Sequence, residues 1–158
     1  MNRNEEMLGM LAAGERECIE TLRLLAEHHP DEADVVHTVT WMIPEAERRV
    51  AALGALLGGG ADVGNRGPLE RAAGWARERI GAVAGSSPRS GPMLVAELRD
   101  GYGEVQQVWL DWTIARQLAM ASRDAELLAL CETSLTETAR RAKWLLTLVK
   151  QAAPQALA

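Results

Sequence analysis

The stretch Ile43–Leu57, IPEAERRVAALGALL, decides the fold because the chain carries it twice. Leu135–Val149 reads LTETARRAKWLLTLV, and the two segments align at a constant offset of 92 positions. Each places Glu, two residues and then a double arginine inside an apolar helical pattern. In this register Ile43 matches Leu135, Ala46 matches Thr138, Val50 matches Ala142 and Leu53 matches Leu145. Apolar residues spaced three and four apart have the helix period. Glu45 and Glu137 are then equivalent, as are Arg48 and Arg140, each pair three apart at the edge of an apolar stripe. A bundle of two related hairpins would leave such a repeat, and so would a chance match between two amphipathic helices.

Working outward, the same period predicts four long helices and almost no strand. The first covers about Asn4 to Glu27, with Leu8, Leu11, Glu15, Cys18, Leu22 and Leu25 as its stripe. The second starts after HHP, with Pro30 at its first position and Asp31 and Glu32 suiting the positive end of the helix dipole. Its stripe is Val36, Val39, Ile43, Ala46, Val50, Leu53 and Leu57, and the glycines from Gly58 end it. The third runs from about Pro92 to Ser122 along Leu98, Gly101, Val105, Val108, Trp112, Ala115 and Ala119. The fourth runs from about Asp124 to Ala153, with Ser122 or Asp124 as cap and Pro154 as its end. Its stripe is Leu128, Cys131, Leu135, Thr138, Ala142, Leu145 and Val149.

The connections set the topology. Helices one and two meet around His29, and helices three and four around Arg123, so each pair is an antiparallel hairpin. The expected plan is one domain over residues 1–158: a first hairpin (1–57), a crossover (58–91) and a second hairpin (92–153). The crossover holds two loose stretches around a short helix, PLERAAGWARERIGAVA. A helix of about 27 residues is ~40 Å long, and a crossover of this length can return along it. Two hairpins joined by one long crossover form the ferritin-like arrangement. The rival is an up-down-up-down bundle with the middle segment as a surface decoration.

Composition narrows function mainly by exclusion. The chain has 158 residues, 47% hydrophobic and 25% charged, with a net charge of −5. An acidic chain without a Lys/Arg run is a poor partner for nucleic acid. No apolar stretch reaches the ~18 residues of a membrane span. The segment MNRNEEMLGM has no secretory layout, so the expected location is the cytoplasm. Cys18 and Cys131 lack CxxC spacing and read as buried thiols. Trp41, Trp109, Trp112 and Trp144 fall in helical patterns, where they fill core volume or a dimer face.

Paired helices, a long crossover and a Glu-x-x-Arg in helices two and four resemble the ferritin-like di-metal superfamily, including small bacterial stress-associated members. There, helices two and four each carry Glu-x-x-His, and helices one and three each give a Glu. The resemblance extends over nearly the whole chain but departs at the motif. Arg48 and Arg140 stand where histidine would, and a guanidinium has no lone pair for a metal. The resemblance therefore implies a bundle whose di-metal centre has been replaced by ion pairs. Glu15, the only charge on the first stripe, is expected to pair with Arg48 or Arg49. Glu104 is expected to pair with Arg140 or Arg141.

Three functions remain in view. The first is a structural or interaction protein without catalysis or cofactor, most simply a homodimer. The second is an iron or manganese carboxylate protein with an all-oxygen site from Glu15, Glu45, Glu104 and Glu137. The third is a binder of small apolar ligands at a helix-two kink, with Trp41, Pro44, Trp109, Trp112 and Trp144 as the pocket. The stretch EHHPDEADVVH contains the HHxxE spacing of hemerythrin-like sites, but Pro30 interrupts it and the chain has only three histidines. It reads as an exposed turn.

Overall fold

The computed structural model describes residues 3–58 and 91–157, and they form an all-α four-helix bundle. Helix α1 is Arg3–His28, α2 is Ala33–Leu56, α3 is Gly91–Ser122 and α4 is Ala125–Leu157. The expected short helix between α2 and α3 lies outside the described residues. Among those described, no helix is long and apolar enough to cross a membrane.

Contacts along the helices fix their directions. Gly14 faces Val108, Gly101 faces Thr21, and His28 meets Glu97. Rising numbers on α1 thus meet falling numbers on α3, so the two are antiparallel. Likewise Arg49 meets Glu137 and Glu45 meets Arg140 between α2 and α4. The adjacent pairs are α1·α2, α1·α3, α2·α4 and α3·α4. Helices α2 and α3 therefore occupy opposite corners and point the same way, so the chain between Gly58 and Gly91 joins opposite ends of the bundle. An up-down-up-down order would make α2 and α3 antiparallel neighbours, and it is ruled out.

Two turns explain how the hairpins close. Glu32 N–H donates to the His29 carbonyl at 3.1 Å, which puts Pro30 in a tight turn instead of at the head of α2. Its fixed φ suits the second turn position as well as a first helical turn, and the turn wins. Between α3 and α4, Arg123 adopts φ +57°. Asp124 N–H donates to the Ala119 carbonyl at 2.9 Å and Arg123 N–H to that of Met120 at 3.3 Å, closing α3 in a Schellman motif. Asp124 then caps α4 by accepting from Leu127 N–H at 2.9 Å. Gly58, at φ +85°, ends α2.

Pro154 does not end α4, which continues to Leu157. The cost is one hydrogen bond near a terminus, where the freed carbonyl is within reach of water. The final turn packs on α3 so closely that a Cβ on Gly91 would lie 3.0 Å from Ala156 Cα. Helix α2 also runs unbroken through Pro44, which is exposed.

The core contains the expected stripes of α1 and α3. On α2 and α4 part of the expected stripe is buried (Val39, Ala46 and Leu53; Cys131, Thr138, Ala142 and Leu145), and the rest of the buried line is shifted by one residue. It follows Val35, Met42 and Arg49 on α2 where the sequence suggests Val36, Ile43 and Val50, which are only partly buried. On α4 it follows Leu127, Ser134, Arg141 and Leu148. Both rotations carry an arginine inward, and the bundle centre explains why.

Candidate functional site

Each of the four helices sends a polar group to the middle of the bundle. Glu15 from α1 is fully buried, Arg49 from α2 and Arg141 from α4 nearly so, and Trp112 from α3 is fully buried. Arg49 Nε donates to Glu15 Oε1 at 2.6 Å, and its Nη2 donates to Oε2 at 3.2 Å. Trp112 Nε1 donates to Oε1 at 2.8 Å. Arg141 Nη2 donates to Oε2 at 3.1 Å from the opposite corner of the bundle. Arg49 also donates through Nη1 to Glu137 Oε2 at 2.6 Å.

This geometry answers the question raised by the repeat. Arg49 and Arg141, the second arginines of the two doublets, are equivalent and both turn inward onto Glu15. Arg48 and Arg140, the first arginines, stay outside and cross to the other repeat's glutamate. Arg140 Nη2 lies 2.6 Å from Glu45, and Arg48 Nη2 lies 3.7 Å from Glu137. Arg140 also sits 4.7 Å over the Trp41 ring, a cation–π contact. The outer pairs are exposed on the arginine side and contribute little to stability.

Glu104 is placed differently from the sequence expectation. Its neighbours are Thr21, Glu17, Asp100 and Cys18 on the α1–α3 seam, and Thr21 hydrogen-bonds it. It does not meet Arg140 or Arg141, because Glu45 and Glu15 hold those guanidiniums. Trp112 takes the place on α3 that the sequence assigns to Glu104. Burial pushes the Glu104 carboxyl up to about 7, against the Thr21 hydrogen bond, with Glu17 and Asp100 adding to the rise. One carboxyl oxygen, Oε2, is buried without a hydrogen-bond partner. Such an oxygen favours the protonated acid.

The donor set does not suit a metal. Glu15 accepts four hydrogen bonds, which is the capacity of a carboxylate. Two guanidiniums fill the space that cations would occupy. Among the described residues, no group of three or more His, Cys, Asp or Glu is placed to hold an ion. Glu15 and Glu137 meet only through Arg49, Glu45 pairs with Arg140 and Glu104 lies on the α1–α3 seam, so the four carboxylates do not converge on one ion site. His28 and His29 share one carboxylate, Glu97, at 2.9 and 2.8 Å. This ties the α1–α2 turn to the start of α3.

A second site lies between α2 and α4. Asp34, His37, Thr38 and Trp41 face Trp144, Thr147, Leu148 and Gln151 across a cavity of about 380 Å³. The two sets share one spacing (i, i+3, i+4, i+7), which is one face of each helix. Of the five residues the sequence assigns to a pocket, only Trp41 and Trp144 line this one. Trp112 belongs to the central cluster, while Trp109 and Pro44 are exposed elsewhere. The sequence missed Asp34, His37, Thr147 and Gln151 because polar helical residues ordinarily read as solvated surface.

Cys18 and Cys131 are free and buried. Burial raises the Cys18 thiol well above its ordinary value, and neighbouring Glu104 and Glu15 raise it further. Burial and Glu132 push Cys131 up to about 11. Neither is a poised nucleophile.

The fold and its centre define a class: a four-helix bundle of two antiparallel hairpins around a carboxylate–guanidinium–indole cluster. No protein-family model, curated protein or solved structure matches the chain.

Proposed function

We propose that this chain is a ferritin-like helical module whose centre is closed by ion pairs in place of metal ions, and that it works as a structural or interaction protein through its surface. The observation that carries the reading is the saturation of Glu15 by Arg49, Arg141 and Trp112. A metal at this position would have to displace two buried cations and break four hydrogen bonds. The cluster instead suits fixing helix register. An ion pair of this kind contributes specificity more readily than stability, since an apolar replacement of similar volume is often as stable.

The partner that this reading names is a second copy. Helix α3 exposes Leu110, Ile114 and Met120, at 47, 50 and 51% exposure, and α1 exposes Met10. Large apolar side chains left in water favour association.

Two measurements test the reading. Elemental analysis after incubation with iron(II) and with manganese(II), followed by desalting, should give no metal above background. About two ions per chain would instead restore the all-oxygen carboxylate site. Sedimentation should give a dimer that Ile114→Glu converts to monomer. A monomeric wild type would remove the homodimer from the proposal. A small-ligand reading is favoured separately by the cavity between Trp41 and Trp144.

A further inference from the structure

We propose that the cavity between α2 and α4 is a binding site for a small organic cation, an ammonium group carrying apolar substituents, seated against Trp41 and Trp144 and neutralised by Asp34. The inference rests on reading that cavity as a ligand site and adds the chemical class of the ligand.

Size comes first. A volume of about 380 Å³ falls at the lower end of small-molecule pockets. That admits a compact amine. The walls come next. Trp41 and Trp144 stand on different helices and are 44 and 48% exposed, although each could bury more surface than any other residue type. Leu148, 5% exposed, supplies an apolar floor. Two half-exposed indoles over such a floor, one of them with Arg140 over part of its ring, suit a ligand with an apolar body.

Charge then separates ligand classes. Among the described residues, Asp34, in the first turn of α2, is the only acidic side chain lining the cavity, His37 is the other titratable one, and no Lys or Arg lines it. An anion would meet a carboxylate, two electron-rich ring faces and a chain of net charge −5. A cation would find all three favourable. A purely apolar ligand would leave Asp34 unused and partly desolvated.

The protein also provides an internal example. The Arg140 guanidinium lies 4.7 Å over the Trp41 ring. Glu45 holds it at 2.6 Å, and it does not itself line the cavity. The indole environment at this corner therefore already carries one cation–π contact. An ammonium ligand would repeat that interaction with Trp144 and with the cavity side of the same aromatic pair.

The probes are choline and its neutral isostere 3,3-dimethyl-1-butanol, with hexyl sulfate as an anionic control. The full-length protein is titrated while the indole N–H signals are followed by NMR. Choline should give saturable shifts confined to Trp41 and Trp144, with the isostere bound about tenfold more weakly, ~1.4 kcal/mol. Asp34→Asn should lower choline affinity by a similar factor and leave the isostere unchanged. Trp144→Leu should abolish the response, with circular dichroism confirming a folded bundle. If isostere and choline bind equally, or hexyl sulfate binds better than either, the cation assignment is overturned while the cavity remains a ligand site. If no probe gives saturable shifts, or the shifts fall on Trp109 or Trp112, the ligand-site reading falls with it.

Discussion

Glu15 and Arg141 meet at 3.1 Å across the diagonal of the bundle, between α1 and α4, which are not adjacent helices. Arg49 reaches the same carboxylate from a third corner at 2.6 Å, and Trp112 from the fourth. One side chain therefore reports the relative height of all four helices. A slip of any helix by one turn, ~5.4 Å, would leave at least one buried polar group without its partner.

The centre should respond asymmetrically to substitution. Glu15→Gln removes the charge paired with Arg141 and one of the two paired with Arg49, and neither buried arginine can reach water without repacking. Urea denaturation should show a loss of about 3–5 kcal/mol. Replacing Glu15, Arg49 and Arg141 together by Leu, Met and Met should cost less, because no unpaired cation remains at the centre, the residual cost being Glu137, left with Arg48 alone, and the Trp112 N–H, left without an acceptor. Arg141 Nη1 already lacks a partner, which makes the pairs expensive to keep. If Glu15→Gln unfolds within 1 kcal/mol of wild type, on the same scale, the cluster does not hold the helices together.

Glu104 should give the protein a pH-dependent stability of opposite sign to that of an ordinary salt-bridged carboxylate. Its folded value, near 7, lies above the ordinary 4.5. Below 4.5 both folded and unfolded states hold the proton. Between 4.5 and about 7 the folded state keeps a proton that the unfolded chain releases. This contribution is therefore fully present at low pH, falls as pH rises through that window and is lost above it. The span is at most ~3 kcal/mol. Glu104→Gln should remove it, making the variant more stable than wild type at pH 8 and nearly equal to it at pH 4.5. Parallel melting curves for the two proteins would refute the assignment.

The thiols should be silent until the bundle opens. With Cys131 near 11 and Cys18 raised well above its ordinary value, only about a thousandth of Cys131 is thiolate at pH 8. Ellman's reagent should react with both thiols at once in denaturant. In native buffer it should react only at the rate of opening. Prompt modification of either cysteine without denaturant would show that its helix face is not closed.

Much of the fold is legible in the chain. The stripes of α1 and α3, the two hairpins and the long return between them follow from apolar spacing and from two short connections. A cap at Ser122 or Asp124 is legible because few side chains can accept from a helix's first amides, and Asp124 is the one that does so. The inward turn of Arg49 and Arg141 was not readable from hydropathy, which scores arginine as surface. Two signals pointed to it nonetheless. Glu15 stood alone on an apolar stripe and needed a cation. Trp112 stood on another stripe and its indole N–H needed an acceptor. The surroundings of Glu104 are not legible because spacing cannot tell which of two carboxylates captures an arginine. Pro30 and Pro154 are ambiguous in sequence for a related reason: the fixed φ of proline suits a turn as well as a helix start, and near a helix end its lost hydrogen bond costs little.

Arg123 offers the simplest stabilising change. It holds φ +57° between α3 and α4, a conformation that costs a residue with a Cβ about 1–2 kcal/mol. Its side chain is exposed, and the backbone alone makes the Schellman bonds to Met120 and Ala119. Arg123→Gly removes the strain but gives the unfolded chain more freedom, which offsets about 0.5–1 kcal/mol. The net gain should be about 0.5–1 kcal/mol, a rise in melting temperature of roughly 1–4 °C for a chain of this size. Arg123→Ala keeps the Cβ and should give no such rise. If alanine stabilises as much as glycine, the benefit comes from losing the arginine's charge, and the left-handed turn carries no strain worth relieving.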